Sequence, residues 1–376
     1  MSPNLAMCSR RQRKWRWVAG VCAVVLLALT ALRTSTSTSI RRPICSFDVI
    51  REHCVKHNYF PTGGHWVNNK HGDEWFDPDI CRFTEPAIKV YKMENCLKRR
   101  EVKRILFLGD SNGIRYFEAM VRLLNHTFSC KLEKKHRSPD YLPDVTYFTN
   151  GTRLNATDIV VHYRDCRQCY ETLVACTAPQ KQGVSFTVKL EFLAMEYFLD
   201  TEVTTVRTKK QNNIGREGWH HSTSTQEFIF SEYLKKQPYP DVILLFSSNH
   251  DKARNVLEKM RADMEYLKSL INLYVPSTTE VFWFSILSEY NERKPKSYRH
   301  RKYERKYPAN EYIQLTNRHL FEVLLPELSK RDSVIKPFFD IYSMSYGVLH
   351  WSTDGIHRER RWYTAIMSRW LQTFCV

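Results

Sequence analysis

Among the twelve glycines of this 376-residue chain no G-x-G-x-x-G and no P-loop pattern occurs, so no motif is present to cradle a dinucleotide or a nucleoside triphosphate. No internal repeat is found either, which excludes solenoids and propellers. Acidic residues are in short supply: 40 Asp and Glu stand against 57 Lys and Arg, a formal charge of +17. Such a balance suits a partner of negative charge, whether nucleic acid, anionic glycan or an acidic surface. A long apolar run is missing as well. The uncharged stretch from Trp17 to Leu32 is shorter than the roughly 20 residues that cross an average bilayer.

That short run still carries information. A basic cluster (Arg10, Arg11, Arg13, Lys14 and Arg16) abuts it, so the positive flank is expected to stay cytosolic and everything after Arg33 to cross. A thin early-secretory membrane accepts such a span more readily than the plasma membrane does. A retained type II signal-anchor is one reading. A cleaved signal peptide ending near Ala28-Leu29-Thr30 is the other. Both take the chain into the secretory pathway, either to a Golgi or ER membrane with its main domain luminal, or to secretion.

Sequons at Asn125, Asn150 and Asn155 agree with a luminal domain. So do the cysteines, nine of eleven of which follow the run: Cys45, Cys54, Cys81, Cys96, Cys130, Cys166, Cys169, Cys176 and Cys375. In an oxidising lumen these read as disulfides with one thiol left over. His162 with Cys166, Cys169 and Cys176 could be drawn as a zinc site, but disulfides account better for them, and no metal is expected. Nucleic acid then drops out as a partner.

The organisation follows: a basic tail (1–16), the anchor (17–32), a polar stem (33–44), a Cys- and Trp-containing segment packed on the main domain (45–100), and a catalytic domain (101–376). Within that domain apolar strands alternate with helices. "RILFLG", "DIVVHY", "DVILLFSSN", "EVFWFSI" and "PFFDIYSM" read as buried strands, and "VSFTVKLEFLAMEYFLD" as a hairpin or added edge. Helices are expected at "NGIRYFEAMVRLL", along Val256, Met260, Met264, Leu267, Ile271 and Tyr274, at "NEYIQLTNRHLFEVLLPEL" with Asn310 as cap, and at "RERRWYTAIMSRWLQTF". Strands this apolar need cover on both faces, which implies an α/β fold with a mostly parallel sheet.

In such sheets ligands sit beyond the carboxyl ends of the strands. Ser111 in "GDS", Asn249, and Asp354 with His357 in "DGIH" all fall at those ends. A serine hydroxyl needs a base to become a nucleophile, and His357, oriented by Asp354, supplies one. The Ser111 N–H and the Asn249 amide are oxyanion donors, with Gly215 or Gly218 as a third. Asp110 reads as a structural loop-holder. "RKPKSYRHRKYERKYP" (Arg293 to Pro308) is either a solvated insert or a basic rim that steers an anionic glycan, with Arg299, Arg301 and Lys302 as binding candidates. Arg358, Arg360 and Arg361 would add to the same field.

"GDS" after the first strand, an Asn after "VILLFSS" and a C-terminal D-x-x-H resemble the SGNH (GDSL-type) hydrolase superfamily. The basic tail, single anchor and "W…DPDICRF…CLKRREVKRILFLGDS" resemble its PC-esterase branch, which includes trichome-birefringence-like acetyltransferases, sialate O-acetyltransferase and the neurexophilin-and-PC-esterase proteins. The likeness runs over about residues 60 to 376 and rests on three short motifs. It implies a three-layer sandwich and a Ser111–His357–Asp354 acyl-enzyme, transferring acetyl to a sugar hydroxyl or removing it by hydrolysis. The acetyl donor would be one such as acetyl-CoA, with no cofactor bound. Arg115 and Trp351 are the further substrate-binding candidates; the branch places its Arg three residues after the serine, and Arg115 is four after. The glycine that many members carry after the second strand has no counterpart in "VVHYRDC". The rival expectation is a catalytically inactive SGNH-fold protein that binds glycans or acts as a secreted interaction partner.

Overall fold

The structure is a computed structural model. It describes residues 42–57, 64–68, 74–83, 85, 88–136, 148–149, 152–153, 159–162, 171–179, 185–195, 205–208, 226, 229–236, 238–246, 257–294, 309–337, 340–352 and 354–376. The chain divides into two units, Met1–Pro43 and Ile44–Val376; the second is described here. The expected anchor and stem lie outside the described residues, among which no helix is long and apolar enough to cross a membrane.

A seven-stranded sheet is built from β1 (Arg104–Gly109), β2 (Ser129–His136), β3 (Glu171–Thr177), β4 (Thr187–Ala194), β5 (Val242–Phe246), β6 (Glu280–Phe284) and β7 (Ile335–Lys336). Its order is β7-β6-β5-β1-β4-β3-β2. The pairings from β7 through β4 are parallel, and β3 and β2 are added antiparallel. All six residues of β1 are buried, as a strand covered on both faces requires.

Seven α-helices are described: α1 (Phe47–His57), α2 (Val90–Arg99), α3 (Ser111–Leu124), α4 (Leu257–Tyr274), α5 (Ala309–Leu328), α6 (Ile341–Tyr346) and α7 (Arg360–Phe374). α3 and α7 lie on the sheet face that carries Phe107, Phe246, Phe282 and Phe284. There Phe117 meets Phe107 edge-on, Tyr116 stacks on Phe246 at 4.6 Å, and Trp370 meets Phe282 edge-on. The alternate residues Leu106, Leu108, Ile243, Leu245 and Trp283 are fully buried too. On α4, Met260, Met264, Leu267 and Ile271 of the expected stripe are wholly buried, Tyr274 is partly buried and Val256 lies outside the described residues; Tyr312 and Thr316 of α5 reach Met260.

Charge fixes the strand starts. The Asp241 carboxylate accepts from the backbone N–H groups of Lys103 and Arg104 at 2.7 and 2.8 Å. The Arg104 side chain pairs with Glu191 of β4, both nearly inaccessible. Ions this deep are costly unless paired, so a slip of β1 against β4 or β5 is penalised.

Four sequence expectations change. Ile159–His162, read as a strand of the main sheet, pairs instead with Thr205–Thr208 in a separate antiparallel ribbon. "VSFTVKLEFLA", read as a hairpin or added edge, supplies β4, the central parallel neighbour of β1. "PFFDIYSM", read as a strand, is helical in its described part from Asp340 onward: the edge strand is Ile335–Lys336, and Asp340 caps α6 by accepting from the N–H and hydroxyl of Ser343, while Phe338 and Phe339 lie outside the described residues. Asn310 does not cap α5 but makes a paired contact with Glu289, accepting from its N–H at 2.8 Å and donating to its carbonyl at 2.9 Å.

Three disulfides occur among the described residues: Cys45–Cys81, Cys96–Cys375 and Cys130–Cys176. Cys54 is a buried free thiol whose pKa burial pushes up to about 12, which makes it inert. Cys166 and Cys169 lie outside the described residues. The Cys96–Cys375 bridge joins the end of α2 to the end of α7, beside a bond from the Arg100 guanidinium to the Phe374 carbonyl at 2.7 Å. Replacing Cys96 and Cys375 together by Ser is expected to cost about 2–5 kcal/mol, measured by urea unfolding of the purified chain. An unchanged midpoint would show that packing alone holds α7.

Candidate active site

β1 ends at Gly109, and α3 begins two residues later at Ser111. The turn is this tight because Gly109 has no side chain. A Cβ there would stand 3.0 Å from the Phe246 Cβ and 3.1 Å from the Gly113 Cα. Asp110 caps the helix, as a loop-holder should: its Oδ1 accepts from Asn112 N–H at 2.8 Å and Gly113 N–H at 3.3 Å, while its carbonyl accepts from Ile114 N–H. The two side-chain bonds use two of the four N–H groups that a helix start leaves without an intrahelical partner, and the carbonyl takes the first intrahelical bond. Another of the four belongs to Ser111, and it sits at the positive end of a fourteen-residue helix.

The second half of the site is the loop that precedes α7. Its base is closed by a bridge between Ser352 and Arg358, with the Ser352 hydroxyl donating to the His357 carbonyl at 2.7 Å. At its tip Gly355 has φ +80°, and a Cβ there would stand 2.5 Å from the Tyr290 carbonyl oxygen. The Gly355 carbonyl accepts from Tyr290 N–H at 2.8 Å. The segment after β6 therefore cradles the loop. From it Arg293 donates to the carbonyls of His350 and Ser352, and Lys294 pairs with Glu289 in the interior. Arg293 and Lys294 open the stretch read from sequence as a basic rim; Arg293 stays exposed while bonding these carbonyls, whereas Lys294 is buried.

The two halves meet. Ser111 Oγ lies 2.8 Å from His357 Nε2, and His357 Nδ1 lies 2.6 Å from Asp354 Oδ2. Asp354 Oδ1 accepts from the N–H groups of Ile356 and His357 at 3.0 and 2.7 Å. Burial works to raise the Asp354 pKa, but the His357 ring and these two N–H bonds outweigh it and hold the carboxyl well below the usual carboxylate range. An ionised Asp354 fixes the Nδ1–H tautomer, which leaves the Nε2 lone pair facing the serine hydroxyl. The arrangement can deprotonate Ser111.

The other candidates are distributed unevenly. Arg115 is partly exposed one helical turn beyond Ser111, on the same flank. Trp351 is 3% exposed with the Arg361 guanidinium 3.9 Å from its ring centre, so it offers a substrate little surface. Arg358, expected to add to an exposed field, is 1% exposed and instead donates to the Ser288 carbonyl and hydroxyl. Burial draws its pKa down to about 10 against the pull of Tyr363, Tyr116 and Asp354, and it stays charged at neutral pH. Arg360 and Arg361 remain exposed. Asn125 is an exposed cap at the end of α3 whose side chain accepts from Cys130 N–H. Asn249, Gly215, Gly218, Arg299, Arg301, Lys302, Asn150 and Asn155 lie outside the described residues. Among those described, no cluster of three or more His, Cys, Asp or Glu could hold a metal ion.

Sequence reasoning missed Asn112, Ser288, Gly355 and Tyr363, whose roles come from tertiary contacts. Gly355 alone left a trace, as the residue after Asp354 in "DGIH". Compared with known proteins, the chain matches no family model, no curated protein and no solved structure.

Gly355→Ala must force a side chain against backbone and adopt a left-handed conformation that costs about 1–2 kcal/mol by itself. It is expected to disable serine labelling while the core, read by tryptophan fluorescence, stays folded. Full labelling would show that the loop has room. Because the Asp354 pKa is lower folded than unfolded, its contribution to stability is present above the unfolded value of about 3.9 and is lost as pH falls through the folded value. Asp354→Asn should therefore flatten the acid-side fall in melting temperature below about pH 4; parallel curves for the two proteins would refute this.

Proposed function

We propose that the chain is a secretory-pathway carbohydrate O-acetyltransferase or O-acyl esterase working through an acyl-enzyme at Ser111. The observation that carries this reading is the continuous relay Ser111–His357–Asp354, with bonds of 2.8 and 2.6 Å. His357 Nε2 takes the serine proton as Oγ attacks the acyl carbonyl carbon, and returns it to the departing atom as its bond to that carbon breaks: the sulfur of a thioester donor such as acetyl-CoA, or the oxygen of an O-acyl ester. The Ser111 N–H at the start of α3 stabilises the oxyanion, with Asn249 as its partner donor. A sugar hydroxyl or water then attacks the acyl-enzyme, the first giving transfer and the second hydrolysis. By its motifs the chain is similar to the PC-esterase branch of SGNH hydrolases, and a three-layer sandwich with a type II anchor belongs to the same reading. The disulfides among the described residues accord with an oxidising compartment. Arg115 and the exposed Arg360 and Arg361 favour an anionic glycan as acceptor or substrate.

A fluorophosphonate probe should label the purified chain at Ser111, and Ser111→Ala should abolish the adduct. His357→Ala should slow labelling by about 10²–10⁴-fold. Incubation with acetyl-CoA and a glycan panel should then add one acetyl group to a product, or remove one from an acetylated glycan, as read by mass. Labelling that survives Ser111→Ala would sink the assignment.

A further inference from the structure

The catalytic contact joins side chains 246 residues apart, and the backbones beside them are also joined. Arg358, immediately after the histidine, donates its N–H to the Tyr363 hydroxyl at 3.0 Å. Tyr363 in turn contacts the Asn112 side-chain oxygen at 2.7 Å, and Asn112 immediately follows the serine. A backbone N–H can only donate, so the phenol oxygen accepts from Arg358 and gives its own proton to Asn112 Oδ1. One hydroxyl thus bridges the residue after the base to the residue after the nucleophile.

Every member of this bridge is buried: Asn112 at 4%, Tyr363 at 1% and Arg358 at 1% exposure. Burial pushes the Tyr363 pKa up, so the phenol keeps the proton the bridge needs. Asn112 N–H is already committed to Asp110, which fixes this residue to the cap of α3. Tyr363 rides on the first turn of α7, and its ring stands edge-on to Tyr116 of α3, centres 4.8 Å apart. A neighbouring bond in the same interface, from Trp362 Nε1 to the Tyr116 hydroxyl at 3.2 Å, ties the two helices without touching either catalytic segment.

We propose that Tyr363 is a positioning residue for the Ser111–His357 pair. Its hydroxyl spans Arg358 and Asn112 and sets the distance at which the imidazole meets the serine. This rests on the acyl-enzyme reading of the site. Without that hydroxyl the buried Arg358 N–H and Asn112 Oδ1 both lose a partner, so the two segments no longer have a reason to stay in register. A displacement of about 1 Å in a reacting pair costs up to about 10²-fold in rate. Substrate contacts are untouched, so binding should hold.

The test uses the purified chain with p-nitrophenyl acetate and a fluorophosphonate, at a temperature well below the melting point of every variant. Tyr363→Phe should lower kcat and the phosphonylation rate by about 10–10²-fold with KM within about twofold of wild type. Asn112→Leu should do the same, and the double variant should be no worse than either single one, because both break one bridge. Tyr116→Phe, which removes the Trp362 tie in the same interface, should keep wild-type kcat. Wild-type kcat in Tyr363→Phe, or additive losses in the double variant, would overturn the proposal. An equal loss in Tyr116→Phe would also overturn it, by showing that any weakening of the α3–α7 interface suffices. Retained activity in Ser111→Ala is the separate outcome that defeats the acyl-enzyme reading itself.

Discussion

A hydroxyl can pass its proton to an imidazole only across a hydrogen-bond distance, and here such a distance, 2.8 Å, is held between a helix start and a loop 246 residues further along the chain. Neither side chain is long enough to correct a misplaced backbone. The placement is therefore delegated to the sheet. β5 lies beside β1 in parallel register, and its last residue, Phe246, presses on Gly109 and stacks on Tyr116, which seats Ser111. β6 lies on the other side of β5, and the segment that leaves it carries Ser288, Tyr290, Arg293 and Lys294, which seat the loop of His357.

The buried charges fall where the chain must not slide. Arg104 and Glu191 pair at the start of the central strands, Lys294 and Glu289 beneath the Gly355 turn, and Arg358 against Ser288 beside the histidine. Desolvating such groups costs free energy that an apolar core would not spend, and removing one partner strands the other. Their common effect is to define position. An apolar interior alone would tolerate small shifts between the segment after β6 and the loop it cradles, and the 2.8 Å Ser111–His357 contact would not.

Part of this arrangement was legible in the residues. "RILFLG" followed by Gly-Asp-Ser reads as a buried strand turning into a helix, and the structure has it so. "DGIH" gives a carboxylate three residues before an imidazole, and a carboxylate on a loop at that spacing can reach back to Nδ1. Strand partners were not legible. An apolar run such as "DIVVHY" or "VKLEFLA" states that it is extended but not what lies beside it, because pairing is settled by residues far away, here by Arg104 meeting Glu191. "PFFDIYSM" misled for a local reason: Asp340 competes for backbone N–H groups and starts a helix where apolarity suggests a strand. Tyr363 and Asn112 carried no signal, since a tyrosine within an aromatic helix reads as packing until its hydroxyl is seen between two loops.

The link between Cys96 and Cys375 has a bearing on how the molecule is made. α3 and its serine are synthesised well before the histidine, α7 and the second cysteine. Until Cys375 has been translated and oxidised, nothing covalent fastens the helix that follows His357. A nascent or reduced molecule would thus carry Ser111 without a firmly held His357 opposite it, and the final oxidation would lock the two segments together.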